Sequence, residues 1–299
     1  MSGWNRGGRF HRVKAEEYGQ RPVMVESHTV SVDGVPVRWE ETGPGTATAV
    51  VFIHGIPTSP GLWRDVLSHV KAARCLAFEM VGYGESVPAG RGRDISVARQ
   101  ADYLLGWLEA IGVERAVFVG HDLGGGVAQI AAVRRPESCA GLLLTNAIGY
   151  DSWPIPSVKA LQGSAGLLER LPPAALRPLL ASLILRGHDD LAAARRSYRV
   201  HRRQYAAHDG AAALARQVRA LDVGDTLAVC GDLARLRVPA RVVWGTADRF
   251  QKLHYGERLA ADLEAPLLRI PGGRHFTPED HPGIIAAATN DLVRAVERR

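Results

Sequence analysis

A rhythm constrains this chain more than any other feature: short, unbroken apolar runs alternate with stretches of helical periodicity. The runs occupy 49–53 (AVVFI), 75–80 (CLAFEM), 115–119 (RAVFV), 140–145 (AGLLLT), 241–244 (RVVW) and 265–270 (APLLRI). Helical patterns fall between them at 62–71, 95–110, 126–133 and 255–263, and a last one begins near 283. A strand with one face in water alternates apolar and polar residues, so an unbroken apolar run predicts a strand covered on both faces. The alternation therefore predicts an α/β chain with a mostly parallel sheet flanked by helices. An antiparallel hairpin is expected ahead of it at 27–41, with Asp33-Gly34 as the turn.

The rhythm fails between Tyr150 and about Leu236. Pro154, Pro156, Pro172, Pro173 and Pro178 fall there, followed by Ala/Arg/Leu-rich helical segments with no strand pattern. Helices inserted between two strands of a parallel sheet predict a cap over the strands' C-terminal ends, where open α/β sheets bind ligands. The expected organisation is a basic N-terminal arm at 1–25, a first core part at 26–149, a helical cap at 150–235 and a second core part at 236–299.

Composition narrows the function classes. At 46% hydrophobic and 23% charged residues the chain reads as globular rather than disordered. Its net charge of +6 comes from dispersed arginines without interleaved aromatics, which predicts a solvated surface rather than a nucleic-acid interface. Cys75, Cys139 and Cys230 are scattered and odd in number, against a disulfide framework or zinc site and in favour of a reducing, cytoplasmic compartment. The N-terminal arm has no apolar central stretch, so neither a secretory signal nor a membrane span is expected there.

The chemistry concentrates in Gly120-His121-Asp122-Leu123-Gly124, directly between a predicted strand and a predicted helix. A residue between small neighbours on so sharp a turn is held exposed above the sheet, on backbone N–H groups suited to an anion. Alone, GxDxG reads as a helix cap or a turn. Three further segments change that. His54-Gly55-Ile56-Pro57 follows the run AVVFI, Asp248 lies just beyond the run RVVW, and His275 follows the last run. Nucleophile, acid and histidine thus occur in that order, each at a strand's C-terminal end. Asp122, Asp248 and His275 are the expected catalytic residues, and the N–H groups of Ile56 and Leu123 the expected oxyanion donors. Asn146 is expected to support Asp248 at most, His54 and His121 to be structural, and His201 and His208 to be solvated.

With the turns Gly82-Tyr83-Gly84-Glu85-Ser86 and His275-Phe276-Thr277-Pro278-Glu279-Asp280, these segments resemble the epoxide hydrolase and haloalkane dehalogenase branch of the α/β-hydrolases. The resemblance covers roughly residues 26–148 and 236–299 and implies an α/β-hydrolase fold with no metal or cofactor. A carboxylate attacking a carbonyl gives a reactive anhydride, whereas at a saturated carbon it gives an ordinary ester that water can open with His275 as base. An Asp elbow therefore favours substitution at carbon on a small apolar substrate. Dehalogenases of this branch hold the departing halide with side-chain N–H groups at the positions of Ile56 and Leu123, which have none. Its epoxide hydrolases protonate the alkoxide with cap tyrosines, which makes Tyr198, Tyr205 and Tyr150 the candidate proton donors. The resulting expectation is an epoxide hydrolase. The alternatives are a haloalkane dehalogenase with atypical halide donors, or a non-catalytic hydrolase-like binding protein.

Overall fold

A computed structural model of the chain describes residues 9–10 and 25–299 apart from 46, 72 and 208. Most of the predicted arm, and His208, lie outside the described residues. Strands β1 (Arg9–Phe10), β2 (Glu26–Val32), β3 (Val35–Thr42), β4 (Ala49–Ile53), β5 (Arg74–Glu79), β6 (Ala116–Asp122), β7 (Cys139–Ala147), β8 (Ala240–Gly245) and β9 (Leu267–Ile270) form one sheet. Their spatial order is β1-β2-β3-β5-β4-β6-β7-β8-β9. From β5 to β9 every pairing is parallel, and the first three strands pair antiparallel.

The unbroken apolar runs have the predicted cause. Val51, Ile53, Phe118 and Leu144 pack into one core cluster, while their neighbours Val50, Phe52, Val119 and Leu143 pack into another. Alternate side chains of a strand point to opposite faces, and here both faces are covered. The helix Val97–Ala110 serves the first cluster and Pro282–Glu297 the second.

Two expectations shorten. The helix predicted at 62–71 is a 3-10 turn at Pro60–Trp63 followed by Arg64–Leu67. The Asp65 carbonyl accepts from the Ser68 hydroxyl and bonds the His69 ring, side-chain partners that replace continued helix. The strand predicted from 265 begins at Leu267, after Pro266, which has no N–H for the ladder. Being at the sheet edge, it is not fully buried, and Leu268 is exposed.

Between β7 and β8 the described residues form helices at Pro156–Gly163, Ala165–Leu168, Pro173–Gly187, Leu191–Ala207, Gly210–Arg219 and Gly224–Leu227, then a 3-10 turn at Cys230–Arg235, and no strand. Pro156 and Pro173 stand in the first turns of their helices, where the missing N–H costs nothing. These helices have their own apolar cluster, built on Leu176, Leu180, Tyr205 and Leu214. Among the described residues no helix is long and apolar enough to cross a membrane.

Candidate active site

β6 runs into the helix Leu123–Arg134 with no residue between them, and Asp122 stands at the junction. Its φ of 51° lies in the left-handed region, which costs a non-glycine residue about 1–3 kcal/mol and persists only where the surroundings enforce it. Two glycines make room. A Cβ on Gly124 would strike the Ile53 carbonyl of β4, and a Cβ on Gly55 would land on the Asp122 carboxylate. Although Asp122 occupies the helix N-cap, its side chain makes no capping hydrogen bond. Instead Oδ2 accepts from the Ile56 N–H at 2.9 Å, and the Leu123 N–H also bonds the carboxylate.

The other carboxylate oxygen, Oδ1, lies 3.9 Å from His275 Nε2. On its far side His275 donates Nδ1–H to Asp248 Oδ2 at 2.9 Å. Asp248 is itself held twice more. The Phe250 N–H donates to its Oδ1 at 2.7 Å, and Asn146 Nδ2 donates to its Oδ2 at 2.7 Å. Asn146 Oδ1 in turn accepts from the Gly245 N–H and the Thr277 hydroxyl. The three residues named from sequence are thus brought together, with Asn146 behind the acid. Thr277 joins this network without any sequence signal beyond its place two residues after His275.

The remaining histidines of the turns face away from proton transfer. His121 donates Nε2–H to the His275 carbonyl at 2.9 Å, and burial keeps its ring neutral. The His54 ring donates to the Gly55 carbonyl and accepts the Met80 N–H, and burial lowers its pKa to about 3.

Charge is balanced tightly. Burial raises the Asp122 pKa above the ordinary carboxylate value, against the opposing pull of His275 and of the Ile56 and Leu123 N–H groups. Burial would lower the pKa of His275, but Asp248 and then Asp122 outweigh it, and the net shift is upward.

Above these groups lies a cavity of about 80 Å³ between the strand ends and the inserted helices. The helices supply Val158, Leu161, Leu183, Leu214 and Val218 to its wall, and the core supplies Ile56, Leu123, Phe250 and Phe276. Among the described residues, only Asp122, His275 and Gln251 bring polar side chains to it, apart from the indole of Trp153.

Residues 48–282 match the sequence profile of the alpha/beta hydrolase fold family. Haloalkane dehalogenase 2 of Mycobacterium bovis is 30% identical over 264 residues, covering 82% of this chain and 87% of that protein. The chain is an α/β-hydrolase. It belongs to the branch that holds the haloalkane dehalogenases and epoxide hydrolases. A haloalkane dehalogenase of Bradyrhizobium diazoefficiens is 35% identical over 126 residues, a match confined to 41% of this chain and 39% of that protein. An α/β-hydrolase fold protein from Burkholderia ambifaria superposes with a TM-score of 0.79 at 24% identity, over 88% of this chain and 99% of its own, a likeness of fold.

The hydrolase does not bring the three candidate tyrosines to its cavity. Tyr150 is buried and donates its hydroxyl to Asp262 at 2.7 Å, under the Arg258 guanidinium. Tyr205 is buried too, but its hydroxyl donates to Gln217 at 2.7 Å, and Gln217 is anchored on the Gly82 carbonyl. Tyr198 is half-buried, with its hydroxyl 3.5 Å from the Arg177 carbonyl. Their spacing placed Tyr198 and Tyr205 on one helix face, and that face packs on neighbouring helices rather than on the cavity. Ile56 and Leu123 line the cavity but offer it no side-chain donor, and the Trp153 indole gives its N–H to the Thr226 hydroxyl at 2.7 Å.

His201 is a further correction: it is buried, with Nε2 3.1 Å from Glu279 Oε1. His188, just beyond the helix Pro173–Gly187, bonds Asp280 Oδ1 at 2.8 Å and lies 3.4 Å from Glu279 Oε2. Together these contacts tie the inserted helices to the segment that follows His275. Sequence distance hid them, because the partners are 78 to 92 residues apart.

Proposed function

We propose that this α/β-hydrolase displaces halide from a saturated carbon of a small apolar substrate, through an alkyl ester on Asp122. In the first step Asp122 Oδ1 forms a bond to carbon, and the carbon–halogen electron pair leaves as halide. Oδ2 is then the ester carbonyl oxygen, already accepting the Ile56 N–H, with the Leu123 N–H on the same carboxyl group. In the second step His275 Nε2 takes a proton from water as the water oxygen attacks the ester carbonyl, and negative charge develops on Oδ2 where those donors wait. Collapse breaks the bond between the carboxyl carbon and Oδ1, and His275 returns the proton to the departing alcohol oxygen. Asp122 keeps the water oxygen with its second proton, which is lost to solvent as the carboxylate is restored. Esterification removes the Asp122 charge, one of the influences that raise the His275 pKa, so the imidazole becomes a readier neutral base when it is needed.

The observation that carries the choice of leaving group is that none of Tyr150, Tyr198 and Tyr205 lines the cavity. An alkoxide must be protonated as it leaves, whereas a halide leaves as a stable anion and needs only dipoles around it. The dehalogenase from Mycobacterium bovis supports the same reading. Epoxide opening, the expectation drawn from sequence, is the second reading, favoured by the GYGES turn. A panel of bromoalkanes and matched epoxides decides between them, with bromide and diol measured side by side. A single turnover in heavy-oxygen water tests the ester: the label should enter Asp122 and be absent from the alcohol. Label in the alcohol after one turnover would mean direct attack by water.

A further inference from the structure

We propose that the side chain of Gln251 is the halide-binding donor of this cavity, an inference that rests on the carbon–halogen reading above. Gln251 is 3% exposed and lines the cavity beside Phe250 and His275. Its Oε1 is buried with no hydrogen-bond partner, and among the described residues its carboxamide makes no hydrogen bond to the protein at all. Buried carboxamides are ordinarily paired, as Gln100, Gln129, Gln204 and Gln217 are here. An unpaired one in an otherwise apolar wall is a group awaiting a partner from the substrate. The two ends of a carboxamide interchange by a rotation about its last torsion, so the NH₂ can face the cavity while the backbone stays fixed.

That backbone is held on both sides. The Phe250 N–H is bonded to Asp248 Oδ1 at 2.7 Å, and the Gln251 carbonyl accepts the Trp244 indole N–H at 3.0 Å. The carboxamide is therefore positioned by the same turn that places the acid behind His275. It meets the chemical need left by the other candidates, since Ile56 and Leu123 have no side-chain donor and Trp153 is committed to Thr226. A primary amide donates to an anion without carrying a proton to give away, which suits a halide rather than an alkoxide.

The test uses the full-length protein and bromide or iodide as the probe, with affinity read by quenching of tryptophan fluorescence and by calorimetry. Wild type should bind bromide saturably. Gln251→Leu, which keeps the volume, should weaken bromide affinity and bromoalkane alkylation by about tenfold or more, the scale of one hydrogen bond to a charge. Gln251→Asn should restore part of the affinity. The rate ratio of iodoalkane to bromoalkane should also change in Gln251→Leu, which a packing role would not produce. Wild-type bromide release with unchanged affinity and halide ratio in Gln251→Leu overturns this inference and leaves the functional reading standing. Absence of bromide binding and release from wild type overturns both. Comparison of melting temperatures identifies a variant that has merely lost its fold, and Gln251→Met then takes the place of the leucine variant.

Discussion

The two walls of the cavity are built on different principles. On the sheet side, Asp122 Oδ2, His275 Nδ1 and both oxygens of Asp248 are each held by at least one short hydrogen bond, to a backbone N–H group or to another member of the group. On the helical side the wall is almost wholly aliphatic, and the polar groups of Tyr205, Gln217 and Thr226 bond one another or the core rather than the cavity. The sheet side can fix a reaction coordinate because strand ends are rigid and closely spaced. The helical side supplies shape and dryness, and in the proposed reaction it takes no chemical step.

The largest expected effect breaks this contrast if it fails. Asp122→Ala should lower turnover by roughly four orders of magnitude or more, the scale seen when a nucleophile is removed. Melting temperature should stay near that of wild type, because the variant also removes a buried carboxylate whose ionised form is disfavoured there. Steady-state kinetics and calorimetry on the same preparation check both halves. Retained activity would move the chemistry to another residue.

Next in size is His275→Ala, which should leave alkylation nearly intact and stop ester hydrolysis. Mass spectrometry after incubation with a bromoalkane should then show one substrate-derived adduct on the peptide containing Asp122. Continued turnover without an adduct would mean that another group activates water.

Asn146→Leu tests whether the support behind Asp248 matters as much as the geometry implies. It removes one hydrogen bond to Asp248 and orphans the Gly245 N–H, so about 1–3 kcal/mol of stability should be lost. Turnover should fall by roughly tenfold or more, through a less firmly held imidazole, at about 1.4 kcal/mol per decade. Chemical denaturation and a rate measurement suffice.

The ties between the two walls should respond to pH. Burial would lower the His188 pKa, but Asp280 and Glu279 hold it up at about 9. Its folded value therefore exceeds its unfolded one. The stabilisation it gives is present in full below about 6.5 and is lost as pH rises through about 9, on the order of 3 kcal/mol at most. Thermal melts across that window should show the decline, and His188→Gln should flatten it. An equal slope in the variant would assign the dependence to another group.

The smallest effect is the sharpest on the helical wall. Tyr205→Phe should cost about 1 kcal/mol, for the lost bond to Gln217, and leave the alkylation rate unchanged within roughly twofold. Tyr198→Phe should change neither. A slowed alkylation half-reaction in either variant, measured by rapid quench, would return a tyrosine to the reaction and with it the epoxide reading.

How much of this was legible in the sequence follows the same division. The elbow, the HGIP loop and the positions of Asp248 and His275 are local statements: a strand ends, and the next few residues must occupy its C-terminal edge. Apolar runs and glycine spacing encode that directly, so Asp122, Asp248 and His275 could be named before any coordinate was known. The six inserted helices between β7 and β8 carry no such code. A helix face can pack on the cavity, on a sister helix or on the core with the same periodicity, which is why the shared face of Tyr198 and Tyr205 did not reveal that it packs on neighbouring helices. His201, read as solvated among arginines, is buried because Glu279 meets it across 78 residues of chain. Gln251 carried no signal at all, since a glutamine without a partner is defined by what surrounds it. Local backbone geometry determined where the proposed reaction can occur. Which side chains meet across that cavity was decided only by the tertiary packing of helices whose sequence leaves their rotation free.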